Sequence, residues 1–99
     1  MASEEQELQS RVISLCKELG LLVFHSGDAR RDTGAGFPDL VIVSRDGCGV
    51  IFAELKSWNG TLSERQMEWK WALISCDQTW RMWRPGDLDK IEAELRLIA

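Results

Sequence analysis

Asp39, Glu54 and Lys56 are the residues of this chain whose types and spacing could do chemistry. Asp39 follows Pro38 at the head of one apolar run, and Glu54 and Lys56 flank Leu55 at the end of another. Carboxylates and an ammonium on otherwise apolar segments are costly to hold half-buried. Two like charges placed together also repel, which raises the pKa of one of them. A divalent cation between the carboxylates resolves both problems. Hard cations such as Mg²⁺ take oxygen ligands, commonly one or two carboxylates with water and phosphate oxygens. The backbone carbonyl of Leu55 could supply a further oxygen. Lys56 could then orient or deprotonate a bound water, or neutralise charge on a phosphate under attack. A plainer reading uses the same residues, with Asp39 as a turn residue and Glu54 and Lys56 as an ion pair on a strand edge. Spacing alone does not choose between the two.

The elements around these residues decide whether they meet. Gly36-Phe37-Pro38-Asp39-Leu40-Val41-Ile42-Val43 and Val50-Ile51-Phe52-Ala53-Glu54-Leu55-Lys56 carry two short apolar runs bounded by turn residues, so each reads as a buried strand, the first opened by Asp39 and the second closed by Glu54 and Lys56. Arg45-Asp46-Gly47 lies between them, and Asp-Gly in that place is a strong hairpin signal. Strand side chains alternate, so Glu54 and Lys56 share one face and Leu55 takes the other. In an antiparallel hairpin the start of one strand lies beside the end of its partner. Asp39, Glu54 and Lys56 should therefore converge at one end of the sheet.

Residues 4 to 19 read as a helix, with Leu8, Val12, Leu15 and Leu19 as its apolar stripe. Ser3 is its expected N-cap, acidic residues suit its first turn, and Gly20 suits the position just past its end. Leu21 to His25 reads as the first strand. His25 is the only histidine and has no ligand spaced with it. It reads as structural or solvated, with phosphate contact as the functional alternative. Residues 26 to 36 form a loop of glycine and small polar residues. Arg30 and Arg31 in that loop lead straight to Asp39, and guanidinium forks suit phosphate, so contact with a nucleic-acid backbone is expected. Leu62 to Cys76 reads as the second helix. Ser63 and Gln66 make a capping box, and Leu62 with Met67 a hydrophobic staple. Arg65 and Lys70 on this helix are candidate phosphate contacts. Met67, Trp69, Trp71, Leu73 and Ile74 lie on more than one face of it, which one sheet cannot cover, so a partner surface is expected. The five tryptophans are read as core or dimer anchors ahead of base-stacking platforms. Thr79 to Trp83 alternates as a strand, Arg84-Pro85-Gly86 ends it, and Asp87 is the expected cap of a last helix carrying Leu88, Ile91, Leu95 and Ile98. The order predicts an α/β layer with a mixed sheet of about four strands.

Composition narrows the class. At 99 residues, with 44% hydrophobic and 28% charged residues, the chain is one soluble globular domain with a modest core. No apolar run approaches a membrane span, and the acidic start, Ser3-Glu4-Glu5, is unlike a signal peptide. A cytoplasmic location is expected, the host cytoplasm if the source is viral. Cys16, Cys48 and Cys76 are odd in number and far apart, without Cys/His spacing. They read as buried or partly buried thiols in a reducing compartment, not as a zinc site. The net charge of −4 argues against indiscriminate nucleic-acid binding, which needs clustered Lys or Arg. Part of that charge would be offset if Asp39 and Glu54 hold a metal, and local patches matter more than the sum.

Pro38-Asp39 followed by Glu54-Leu55-Lys56 resembles the PD-(D/E)xK nuclease signature. Gly36-Phe37-Pro38-Asp39-Leu40-Val41, Ala53-Glu54-Leu55-Lys56-Ser57 and Leu62-Ser63-x-x-Gln66-x-x-Trp69 are similar to the VRR-NUC (virus-type replication-repair nuclease) family. Trp83-Arg84-Pro85-Gly86-Asp87-Leu88 resembles its small phage-type members. The resemblance covers nearly the whole chain. It implies one VRR-NUC-like domain over residues 1–99, with a restriction-endonuclease-like fold in the order αβββαβα. It implies a metal-dependent DNA endonuclease using Mg²⁺ or Mn²⁺, with Asp39, Glu54 and a glutamate of the first helix as ligands and the Leu55 carbonyl assisting. Glu5, with Gln9 one turn on, fits the helix role best, and Glu7 second; both also read as helix-start charges. Lys56 would position the attacking water and stabilise the pentavalent phosphate. Gln66 would face the metal site or the substrate as well as capping its helix. Small stand-alone members act as homodimers on branched DNA such as four-way (Holliday) junctions, and a twofold dimer would present two sites to two strands. Removing the metal ligands is expected to abolish cleavage and leave folding intact or improved. The rival readings are a catalytically inert nucleic-acid-binding or assembly module of the same fold, a regulatory protein acting through its tryptophans, and a metal-dependent RNase.

Overall fold

A computed structural model describes residues 3–27 and 33–99. The chain runs through α1 (Glu4–Glu18), β1 (Leu22–His25), β2 (Leu40–Val43), β3 (Val50–Leu55), α2 (Glu64–Ser75), β4 (Thr79–Trp83), a single 3-10 turn (Pro85–Asp87) and α3 (Leu88–Ile98). The four strands form one sheet in the order β1-β2-β3-β4. β1–β2 and β2–β3 are antiparallel, and β3–β4 is parallel, so the sheet is mixed as expected. Among the described residues no helix is long and apolar enough to cross a membrane.

Local signals explain where elements start and stop. Ser3 caps α1 and Ser63 caps α2, each with a glutamine three residues on that bonds back to the cap backbone. Gly20 ends α1 with φ +75°, the left-handed conformation that glycine takes without penalty. Gly47 turns the β2–β3 hairpin with φ +81°. Asp87 departs from expectation. Its carboxylate accepts the Arg84 N–H at 2.9 Å and closes the 3-10 turn, and it makes no side-chain cap bond to α3. Pro85 starts that turn early, so the capping geometry falls on Arg84.

One face of the sheet is well covered. Leu40, Ile42, Ile51, Ala53 and Leu55 alternate onto it and join Leu8 and Val12 of α1 and Ile91 and Leu95 of α3 in the core. Each fully buried Leu or Ile contributes about 1.5–3 kcal/mol. Cys16 takes the place in α1 that the sequence assigned to Leu15 and Leu19, which are only partly buried. Burial pushes the Cys16 thiol up to about 11, so it stays protonated and inert. Cys48 and Cys76 are exposed, not buried, because they fall in the hairpin loop and at the end of α2.

The opposite face is thinly covered. The Phe37 ring stands edge-on to Phe52 and to Trp69 of α2, at centroid distances of 6.1 and 4.9 Å. The Trp69 indole N–H donates to the Ala35 carbonyl at 2.9 Å. Yet no residue of α2 is fully buried. Met67, Trp71 and Ile74 stand exposed, as do Leu22 and Phe24 of β1 on the same face.

Gly36 sets how closely α2 approaches. Its φ is +86°, and a Cβ there would run into the backbone of Arg65 in the first turn of α2. Gly36→Ala is therefore expected to destabilise the protein by about 1–3 kcal/mol in urea unfolding. Gly47→Ala, with a similar φ but open space around it, is expected to cost less. Equal losses would show that the contact with Arg65 carries no weight.

Candidate active site

The geometry of the site follows from a missing donor. The Ser44 N–H donates to the Gly49 carbonyl at 3.0 Å, which makes these two a hydrogen-bonded pair of the β2–β3 hairpin. Bonded pairs recur at every second position of an antiparallel ladder. The register thus bonds Ile42 to Ile51 and Leu40 to Ala53, and it brings Pro38 opposite Leu55. Proline has no N–H, so it cannot donate to the Leu55 carbonyl. The Leu55 N–H donates instead to Asp39 Oδ2 at 2.8 Å. Both main-chain groups of a bonded residue point to the same neighbour, so the Leu55 carbonyl also turns toward Asp39, without its ladder donor.

Asp39 is pinned from both sides, since its own carbonyl accepts the Ser26 N–H at 3.0 Å. Its carboxylate therefore has a structural task. Deleting it would strand the N–H of Leu55, a residue only 1% exposed, at about 1–3 kcal/mol. This corrects the expectation that removing the acidic residues leaves folding intact or improved.

Glu54 is 2% exposed and faces α2, away from the Leu55 side chain. The Gln66 side-chain N–H donates to Glu54 Oε2 at 3.0 Å. The Gln66 side-chain oxygen meanwhile accepts the Ser63 N–H at 2.9 Å. One carboxamide thus closes the capping box with its oxygen and holds Glu54 with its nitrogen. The Lys56 ammonium lies 4.0 Å from the same Glu54 oxygen, with its side chain 13% exposed. The three residues of the hairpin pattern do meet at one sheet end.

On the α1 side, Glu5, Gln9, His25, Asp39 and Leu55 line a polar cavity of about 390 Å³. Among the described residues no three His, Cys, Asp or Glu side chains gather closely enough to cage an ion. Glu5 borders the cavity without joining such a cluster, and Glu7 lines a different surface beside Trp58 and Leu88. The donors fit a hard cation of the open kind, which takes one or two carboxylates and keeps positions for water and phosphate. Asp39, Glu54 and the Leu55 carbonyl are donors of the type such a cation takes.

The other expected contacts are more scattered. Arg30 and Arg31 lie outside the described residues. Arg65 is 71% exposed, 3.9 Å from Glu68, and lines a neighbouring groove with Thr33, Ala35 and Trp69. The Lys70 ammonium sits over the rings of Trp71 and Trp80, 4.7 and 5.0 Å from their centroids. Sequence reasoning missed Arg84. Its guanidinium donates to the Ser57 and Trp58 carbonyls at 2.8 and 3.1 Å, clamping the turn that follows Lys56. Only the parallel pairing of β3 with β4 brings it there, and no local pattern signals that.

Gln66→Ala removes both uses of the carboxamide and is expected to cost about 2–3 kcal/mol in chemical denaturation. Gln66→Glu keeps the capping box but sets a carboxylate against Glu54, so it too is expected to destabilise. A glutamate variant as stable as the wild type would show that the Glu54 bond is idle.

The likeness to known proteins agrees with this geometry. No protein of curated function matches the chain. Two solved structures share its fold. One, described as a VRR_NUC domain, has a TM-score of 0.74 at 21% identity and covers 91% of this chain and 95% of its own. The other, a VRR_NUC domain protein, has a TM-score of 0.71 at 20% identity and covers 100% of this chain and 93% of its own. The fold is therefore restriction-endonuclease-like, as the sequence resemblance implied. The profile of the VRR-NUC domain matches residues 2–80, most of the chain, and the chain belongs to the VRR-NUC family of nucleases.

Proposed function

We propose that the chain is an Mg²⁺- or Mn²⁺-dependent DNA endonuclease that hydrolyses phosphodiester bonds in branched DNA, such as four-way junctions, as a homodimer. The bond from Leu55 to Asp39 supports the metal-dependent reading most. It sets a carboxylate beside a carbonyl that Pro38 cannot cap, at the rim of a polar cavity and next to buried Glu54. Asp39, Glu54 and the Leu55 carbonyl would hold the cation, with Glu5 across the cavity adding an oxygen directly or through water. A cation bound there would polarise the phosphate and lower the pKa of a water. Gln66 keeps Glu54 in one orientation. Lys56, which lies beside Glu54, would orient the attacking water and stabilise charge on the pentavalent phosphate. Arg30, Arg31 and Arg65 would contact the DNA backbone, and Lys70 adds charge to the same helix as Arg65.

The dimer is supported by the thin face of the sheet. Leu22 and Phe24 of β1 and Met67, Trp71 and Ile74 of α2 leave large apolar side chains in water. Such a surface is usual where a partner docks.

Cleavage should be assayed on single strand, duplex, flap, fork and four-way junction, and on RNA, with Mg²⁺, Mn²⁺ or EDTA. Wild type is expected to cut a branched DNA only with metal. Lys56→Ala and Asp39→Asn are expected to lose about 100-fold or more; the asparagine still accepts from Leu55, so that variant stays folded. Cutting in EDTA, or by Lys56→Ala at the wild-type rate, would sink the assignment. Preference for RNA would make the enzyme an RNase, and a folded protein that binds Mn²⁺ but cuts nothing would favour the inert module.

Sedimentation equilibrium at micromolar concentration is expected to give a dimer, and Trp71→Glu a monomer. A monomeric wild type would rule the homodimer out.

A further inference from the structure

The α1 and α2 sides of this end of the sheet differ in charge. Lys56 lies on the α2 side, beside Glu54. The α1 side is lined by Glu5, Asp39 and Leu55 with the neutral side chains of Ser3, Gln6 and Gln9, and its described lining residues include no Lys or Arg. A phosphodiester brought there carries a negative charge and would meet two carboxylates and, among the described lining residues, no Lys or Arg. It needs donors, and His25 is the aromatic N–H donor lining that cavity.

His25 is also well placed. It closes β1 opposite Leu40, the residue after Asp39. The next residue, Ser26, donates its N–H to the Asp39 carbonyl at 3.0 Å, which ties the histidine backbone to the strand that carries Asp39. By alternation His25 shares the face of Leu40, the side that α1 covers. The residue is exposed, and among the described residues its ring has no hydrogen-bond partner. An imidazole donates at least one N–H whether neutral or charged.

We propose that His25 is a phosphate-binding residue of this site, donating a ring N–H to a nonbridging oxygen of the phosphodiester that is cut. This rests on the nuclease reading above. The ligand is the nucleic-acid backbone, so the contact carries no base preference. No proton needs to leave the ring; the imidazole positions the diester and stabilises its charge from the side opposite Lys56.

The test compares wild type, His25→Ala and His25→Gln for kcat and KM on the preferred substrate with Mn²⁺. Mn²⁺ calorimetry without DNA and thermal melting run beside it. His25→Ala is expected to lose roughly 10- to 100-fold in kcat/KM, while Mn²⁺ affinity and melting temperature stay at wild-type values. His25→Gln keeps an N–H donor and is expected to recover part of the loss. The proposal is overturned if His25→Ala cuts as fast as wild type, or if His25→Gln is as slow as His25→Ala. It is also overturned if Mn²⁺ affinity falls with the ring, which would make His25 a metal ligand, or if the losses follow melting temperature, which would make it structural. A wild type that cuts nothing overturns the nuclease reading and this one together; a wild type that cuts beside an equally active alanine variant overturns this one alone.

Discussion

The absence of a hydrogen on the nitrogen of Pro38 is the constraint from which the site unfolds. It halts the β2–β3 ladder one pair early and leaves the Leu55 carbonyl without its ladder donor, while the Leu55 N–H donates to the Asp39 carboxylate. That bond fixes Asp39 at the mouth of the cleft. It also demands that Pro38 be buried where it can face Leu55, and it is among the most buried side chains of the protein. The loop before it must then be held. Gly36 lies against the backbone of α2, Phe37 packs on Trp69 and Phe52, and Ala35 accepts from the Trp69 indole. The helix drawn in by those contacts brings Gln66 to Glu54. A buried ion pair gains little net stability, because desolvation offsets most of the Coulomb term. The apolar face of the same strand, with Ile51, Ala53 and Leu55 in the core, keeps Glu54 in place.

Much of this was readable in the order of residues. The hairpin shows in its β-branched runs and Asp-Gly turn, and the start of α2 in Ser63 and Gln66. Even the sparse burial of α2 is foreshadowed, since its apolar residues spread round the helix. What stayed hidden needed partners far away in the chain. The role of Pro38 depends on register, which a strand pattern does not give to the single residue. Capping accounts for Gln66 fully on local grounds, so nothing in the sequence shows that its nitrogen is used as well. His25 looks like an ordinary strand end until β1 is laid beside β2. Asp87 departs from the simple cap pattern because two turns overlap at Pro85, and the first of them takes the carboxylate.

The acidic balance of the chain reads differently once the residues are placed. Glu54 is buried and Asp39 lies in the cleft, so neither projects its charge freely onto the surface. Other carboxylates are matched locally: Glu94 of α3 by Arg81 of β4 at 2.8 Å and Glu92 by Arg96 within α3 at 2.7 Å. Exposed pairs of this sort add little stability, commonly 1 kcal/mol or less (roughly). Their effect is to mute the field around α3.

The family profile ends at residue 80, but the fold does not. Residue 80 is the second of the five residues of β4. Trp83 is 4% exposed, Ile91 and Leu95 are fully enclosed, and the Lys56 N–H donates to the Trp83 carbonyl at 2.9 Å. Those three side chains together represent roughly 5–9 kcal/mol of burial, comparable to the whole stability of a small domain, about 5–15 kcal/mol. The stretch that the family profile matches is thus shorter than the stretch that packs the core. A graft of this nuclease onto another protein would have to carry α3, which holds none of the proposed catalytic residues, because the strand beside Lys56 depends on it.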